Sequence, residues 1–374
     1  MRYALLFTAF LVIVSSGKSF SQEDQSGSNI SRVIEKNGQK FLKNKNITAV
    51  SIGVYKDGQV YTKHFGEIEK GKSNPPNDKT IYEVGSVSKT ITGYLVAKAV
   101  LEQKIKLADD VRVYLKGDYS NLEYNGTPIT IRNLVTHTSG LPTFLPDKMN
   151  GLYEKLTEEV PSEYLALEES YNKDKFLDDL KRISITAKPG VNYLYSNAGA
   201  ELMGYILEAV YQKSIGELLK ESFAVKYNMP NTAINLDSKQ TENLIRGYWM
   251  NSETPAPNNL NPLWGTAGGV KMTMDDIMHY VELQLDDKNS IVDESHKALY
   301  DMRHPLQIAY YWRVWKDKYG TSFNHHGGTS GTQNWLFIYP KYNLGISIIT
   351  NQSGPKTPNL LSKTAQKILR EIVE

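Results

Sequence analysis

No cysteine occurs in the 374 residues. That absence excludes disulfides, thiolate-held metals and a lipid-modified N-terminal cysteine. There is no excess of one charge either. The formal net charge is +2, and beyond the first 21 residues, which hold Arg2 and Lys18 and no acid, bases and acids balance. With no basic stripe carrying interleaved aromatics, a nucleic-acid partner is not expected. No internal repeat or low-complexity tract occurs, and no His-Glu-x-x-His spacing points to zinc. Long apolar runs are missing too. The longest, Ala4 to Val14 with one Thr inside it, falls short of the ~20 residues a membrane helix needs.

That short run reads as the core of a secretory signal. Arg2 precedes it, and Ser19-Phe20-Ser21 offers small residues at the positions a signal peptidase reads, so cleavage is expected before Gln22. The expected location is a bacterial periplasm or exterior, without a stable membrane anchor after cleavage. Residues 22–30 read as a polar, mobile leader. The remainder, in a chain that is 40% apolar, is long enough to bury a large core.

Strand signals gather at the two ends of the chain. Val50–Val54 and Val60–Phe65 flank Asp57-Gly58, a strong hairpin dipeptide. Gln333–Tyr339 and Leu344–Thr350 flank the turn Pro340–Asn343, and a helix closes the chain with Leu360, Leu361, Ala365, Ile368, Leu369, Ile372 and Val373 at helical spacing. Between them the pattern is helical. Ser31–Leu42 allows a helix. From Ser86 onward Val87, Ile91, Tyr94, Leu95 and Ala99 share one face, Gly204–Leu219 is a further candidate, and residues 143–175 read as a charged surface insertion. The expected fold class is α/β of the α+β type: an antiparallel sheet flanked by helices, with an inserted helical domain. The domain reading is a signal over 1–21, a leader over 22–30, a discontinuous α/β domain over 31–85 and 265–374, and a mainly helical domain over 86–264. A site is expected at their junction.

Three short patterns carry chemistry. Ser86-Val87-Ser88-Lys89 puts a hydroxyl and an amine one helical turn apart, on one face. A Ser needs a base or a stabilising field to act as a nucleophile, and a buried Lys with a lowered pKa supplies a base. The spacing alone is weak, because Ser15/Lys18, Ser170/Lys173 and Ser353/Lys356 share it. Tyr195-Ser196-Asn197 offers a phenol to shuttle protons, as tyrosinate base or as acid, and an amide to orient Lys89 or substrate. Tyr119-Ser120-Asn121 repeats the pattern, but in polar surroundings that read as exposed. Asn324-His325-His326-Gly327-Gly328 leads toward the Gln333 strand, and its small residues let a substrate approach the backbone.

In that order, with Leu134–Pro142, Pro189-Gly190 through Gly204, and Ala267-Gly268-Gly269 through Ile277 between them, the patterns resemble the penicillin-recognising serine hydrolases. That family includes class C beta-lactamases, D-Ala-D-Ala carboxypeptidases and esterases, and the resemblance runs from about Ile47 to the C-terminus. It implies a beta-lactamase/transpeptidase-like fold and no cofactor or metal. It implies Ser86 as the acylated nucleophile, Lys89 as its partner and Tyr195 as the proton shuttle, with Asn197, His325, Gly327 and Gly328 binding substrate. An oxyanion hole would come from the backbone N–H groups of Ser86 and Gly328, each such donor worth about 10²–10³ in rate. His137 is expected to be structural.

The resemblance has one departure. Class C beta-lactamases usually carry Lys-Thr-Gly where this chain has His325-His326-Gly327. A His is mostly neutral at pH 7, so His325 is expected to hold a substrate carboxylate only as pH falls. The favoured reading is an exported enzyme most like a D,D-carboxypeptidase, D-aminopeptidase or esterase, acting on a small-molecule or peptide substrate. A class C-like beta-lactamase and a non-catalytic penicillin-binding sensor are the rivals.

Overall fold

A computed structural model describes residues 20–259 and 261–374. Arg2 and the apolar run of the expected signal lie outside the described residues. One antiparallel sheet organises the rest. Its strands are β1 (Ala49–Lys56), β2 (Gln59–Gly66), β3 (Tyr300–Arg303), β4 (Leu306–Ile308), β5 (Arg313–Asp317), β6 (Gly320–Gly328), β7 (Gln333–Tyr339) and β8 (Leu344–Thr350). Their spatial order is β2-β1-β8-β7-β6-β5-β4-β3. Both expected hairpins form. Asp57 and Gly58 take φ of 50° and 86°, as a two-residue turn of the type that matches strand twist requires.

Alternation along the central strands splits the core. Val50, Ile52 and Val54 of β1 and Leu344, Ile346 and Ile348 of β8 face one side. There they meet helices α1 (Phe20–Leu42) and α5 (Thr357–Val373). The other face meets α2 (Ser88–Leu101), α3 (Asn197–Tyr211) and α4 (Met274–Gln284). That larger cluster runs without a break from residues of the helical middle into the sheet. The helices are thus bound to the strands by one shared core. Among the described residues no helix is long and apolar enough to cross a membrane.

Three local expectations are corrected. Residues 22–30, read as a leader, are helical, because α1 runs on through them and lays Ile30, Val33, Ile34 and Phe41 against the sheet. The candidate over Gly204–Leu219 is two helices. Gln212 turns left-handed at φ 53°, and Ser214 caps a new helix, Ile215–Leu219. Helix α2 is buried on nearly every side rather than on one face. Its polar residues tolerate this because their hydroxyls bond to the backbone: Thr90 to Val87 O at 2.8 Å, and Thr92 to Thr266 O at 3.0 Å.

The end of β6 shapes the site. β5 pairs with it only as far as Arg313 opposite Asn324, so His325–Gly328 are paired with β7 alone and their other edge is open. Gly327 permits this placement, since a Cβ there would stand 2.0 Å from Val84 O. Gly327→Ala is therefore expected to destabilise the protein by about 1–3 kcal/mol, the usual cost of overpacking. Gly216→Ala, whose Cβ would meet nothing closer than 3.9 Å, should be neutral or slightly stabilising, by at most ~1 kcal/mol. Denaturant unfolding of the two variants checks the contrast.

Candidate active site

Ser86 lies in a single 3₁₀ turn, Gly85–Val87, directly before α2. Gly85 has φ 52°, and a Cβ on it would stand 2.5 Å from Gly328 N. The turn therefore presses on the open end of β6, bringing Gly328 beside the Ser86 backbone. The residue after Ser86 is buried and the hydroxyl of Ser88 is spent inside the fold. It donates to Gly85 O at 2.7 Å and accepts Val270 N–H at 3.1 Å. Ser86 is half-buried and faces a cavity of about 520 Å³.

Two groups converge on it. Lys89 Nζ lies 3.2 Å from Ser86 Oγ, 2.6 Å from Asn197 Oδ1 and 2.5 Å from Ala267 O. The Tyr195 hydroxyl donates to Ser86 Oγ at 2.7 Å. Burial pushes Lys89 down to about 7, although the Glu201 charge opposes this. Burial pushes Tyr195 up, out of reach of ordinary pH. With Lys89 at about 7, both forms of the amine are populated near neutral pH, and the neutral form can be accommodated by the same contacts. Its two hydrogens go to the carbonyl oxygens of Asn197 and Ala267, and its lone pair is left for the Ser86 hydroxyl, the longest of the three contacts. The upward shift and the hydrogen bond donated to Ser86 favour the acid over the tyrosinate base, of the two roles expected for Tyr195.

The scaffold behind Tyr195 is well tied. Ser196 caps α3, accepting Gly199 N–H at 2.8 Å and donating to Pro142 O at 2.6 Å. His137 packs at a tilt against the Tyr195 ring, with centroids 4.4 Å apart, and its Nδ1 accepts Ser196 N–H at 3.2 Å. This buried imidazole, held neutral, fits the structural role expected of it. The repeated pattern at Tyr119 stands elsewhere. Tyr119 is buried, not exposed, since it joins the main core, and Asn121 ties down the carbonyls of Leu180 and Ile183. Ser353 is buried too and donates to Thr329 O at 2.7 Å.

The third pattern divides. His325 and Gly328 line the cavity, whereas Gly327 packs against Val84. His325 has surroundings that oppose the protonation that a carboxylate switch would need. Burial first, then the charges of Arg313 and Lys89, hold it well below its ordinary pKa, and its Nδ1–H is given to His326 O at 2.7 Å. His326 donates through Nε2 to Gln333 Oε1 at 2.8 Å. The cation at this end of the cavity is Arg313, which the sequence reading missed. The signal was available: Arg313 starts a strand that returns through Lys318–Gly320 into β6, and hairpin register sets it beside His325. Residues 143–175, read as a surface insertion, also reach the cavity, through Phe144, Tyr164, Leu165 and Glu168.

A model of the family described as Beta-lactamase matches residues 34–369. The chain belongs to the Beta-lactamase family. Among its relatives, Protein flp of Staphylococcus aureus (strain MRSA252) is 26% identical over 341 residues, 88% of this chain and 64% of that protein. A protein named Beta-lactamase from Pseudomonas fluorescens is 26% identical over 262 residues, 68% of this chain and 65% of that one. The chain thus spans just under two thirds of the length of these curated relatives. Among solved structures, a beta-lactamase/D-alanine carboxypeptidase from Yersinia pestis, complexed with citrate, superposes with a TM-score of 0.77 at 21% identity, covering 92% of this chain and 99% of that one. A class C beta-lactamase does so equally, with a TM-score of 0.77 at 21% identity, over 92% of this chain and 98% of its own. These likenesses establish the fold, a sheet flanked by helices of the beta-lactamase/transpeptidase kind.

Proposed function

We propose that this protein cleaves an amide or ester through an acyl-Ser86 intermediate, most like a D,D-carboxypeptidase, D-aminopeptidase or esterase. The observation that carries the reading is the placement of Ser86 Oγ between Lys89 Nζ at 3.2 Å and Tyr195 OH at 2.7 Å, on a cavity wall. Neutral Lys89 takes the Ser86 proton as Oγ attacks the carbonyl carbon. The developing oxyanion sits against the backbone N–H groups of Ser86 and Gly328. Tyr195 gives its proton to the leaving nitrogen or oxygen, and the proton on Lys89 restores it. Water then releases the acyl group by the reverse sequence. Asn197 holds the Lys89 amine toward Ser86, and the open edge of β6 lies ready to align an extended substrate.

The class C-like beta-lactamase reading is favoured by the relative and the solved neighbours that bear that name. The two readings differ in how fast water removes the acyl group. Incubation with a fluorescent penicillin, a chromogenic cephalosporin, nitrophenyl esters and a D-Ala-terminated peptide separates them. Rapid turnover of the cephalosporin supports the beta-lactamase, whereas stable labelling with ester or peptide turnover supports the favoured reading. Absence of any adduct on Ser86 overturns both. Export, with cleavage before Gln22 and a periplasmic or secreted location, belongs to the same proposal and is tested by N-terminal sequencing of the protein from its native host.

With His325 held neutral, Arg313 takes over the expected carboxylate contact, by a charge-assisted hydrogen bond of ~1.5–3 kcal/mol. Arg313→Met should raise KM about tenfold or more for a D-Ala-terminated peptide, as loss of such a bond implies. An uncharged ester should keep its KM. Equal effects on the two substrates would assign Arg313 a structural role only.

A further inference from the structure

Another part of the cavity lining has a chemistry that the hydrolytic reading does not use. Glu168, at the end of the helix Val160–Glu169, is 1% exposed yet forms part of the wall. Its Oε1 is buried and has no hydrogen-bond partner. Leaving such an oxygen unpaired is ordinarily destabilising. The neighbouring Glu83 is satisfied, for Asn259 N–H donates to Oε1 at 2.5 Å and Thr329 Oγ1–H to Oε2 at 2.9 Å. One buried ammonium, Lys271, bears on both carboxyls, but its hydrogens go to Ile234 O at 2.9 Å and Gly269 O at 3.0 Å. Two acids therefore share one base that bonds to neither.

Aromatic rings complete the wall. Phe144 meets Tyr164 and Trp264 edge-on, with ring centroids 5.7 and 5.5 Å apart, and all three line the cavity. Aromatic faces beside a carboxylate suit an alkylammonium group, which gains from both. We propose that this wall is a cation subsite, taking an ammonium or quaternary ammonium group of the substrate with Glu168 as its counter-charge. The proposal rests on reading the Ser86 cavity as the substrate cavity. It narrows the substrate class to molecules that carry a positive group as well as the scissile bond.

Burial pushes the Glu168 carboxyl up to about 8; Tyr164 and Lys271 lower it and the Glu83 charge raises it. An entering cation therefore meets a carboxyl that ionises more fully as pH rises, so the test belongs at pH 9. The probes are choline and its uncharged isostere 3,3-dimethyl-1-butanol, with binding read by tryptophan fluorescence or calorimetry. The wild type should bind choline about tenfold more tightly than the isostere, and Glu168→Gln should erase the difference while Ser86 is still labelled by an acylating probe. Equal affinities in the wild type, or an undiminished preference in Glu168→Gln, would overturn the subsite. Should that variant fail to fold, the wild type answers alone: choline affinity must rise between pH 6 and pH 9 while that of the isostere stays level, and parallel curves refute the proposal. Because binding is read without turnover, a choline preference with no adduct on Ser86 would leave the subsite standing and remove the hydrolytic reading instead.

Discussion

Ser86→Ala abolishes covalent labelling by an acylating probe and cuts turnover by about 10⁴–10⁶, as expected for the nucleophile of a residue set acting as a unit. The fold is expected to survive. Ser86 is half-buried and its side chain meets only Lys89 and Tyr195 among the hydrogen-bonded groups described for it; Ser86 and Tyr195 line the cavity, and Lys89 is buried behind them. The check is intact-mass and peptide-mass spectrometry beside a melting curve. An adduct on Ser88, Ser170 or Ser353 would refute the assignment. Ser88 is fully buried, which leaves it no route to substrate. Ser353 borders the cavity, but its hydroxyl is committed to Thr329 O and to the Gln333 amide, with no base beside it.

Lys89→Met should cost nearly as much, about 10⁴-fold or more, and the double variant with Tyr195→Phe should be scarcely worse than either single one. The wild-type pH profile gives the sign. The active form of Lys89 is the neutral amine, and its fraction grows as pH rises. With Lys89 held at about 7, kcat/KM for an uncharged ester should climb through that region and level above it. Burial places Glu201 near about 8, and its charge favours protonated Lys89. The limb therefore belongs to the pair rather than to either residue. Glu201→Gln removes the opposing charge and should move the limb to lower pH. A flat profile between pH 5.5 and 8 would exclude Lys89 as the base. Burial lowers His137, His325, His326 and His296 from their ordinary pKa, which argues against any of them as the source of the limb.

What could be read from the sequence was mostly local. Asp57-Gly58 fixed a hairpin because both turn residues need positive φ, and Ser86 with Lys89 shared a face because one helical turn separates them. The ordered patterns then identified the family. What could not be read was mostly long-range. The helix through residues 22–30 exists because its C-terminal half packs on β1 and β2, a partner that local polarity does not reveal. The burial of α2 on nearly every side depends on the carbonyls of other segments accepting its threonines. His325 reads as an ordinary titrating imidazole until Arg313 and the surrounding core are placed around it. Tyr119 has polar neighbours in sequence and apolar ones in space.

The two functions of the cavity have different origins in the chain. Ser86, Lys89, Tyr195 and the Gly328 backbone are fixed by the shared core of sheet and helices. Phe144, Tyr164, Leu165 and Glu168 come from one continuous stretch, which is anchored in part by Asn261 donating to Glu168 O at 2.8 Å. If the cation subsite holds, part of the choice of which molecule is broken is encoded apart from bond-breaking, while Arg313 and the edge of β6 keep the rest on the sheet. Grafting a different 143–175 segment onto the same frame would be a route to a new selectivity with the old chemistry retained, and natural exchange of that one stretch would let a single catalytic frame diversify.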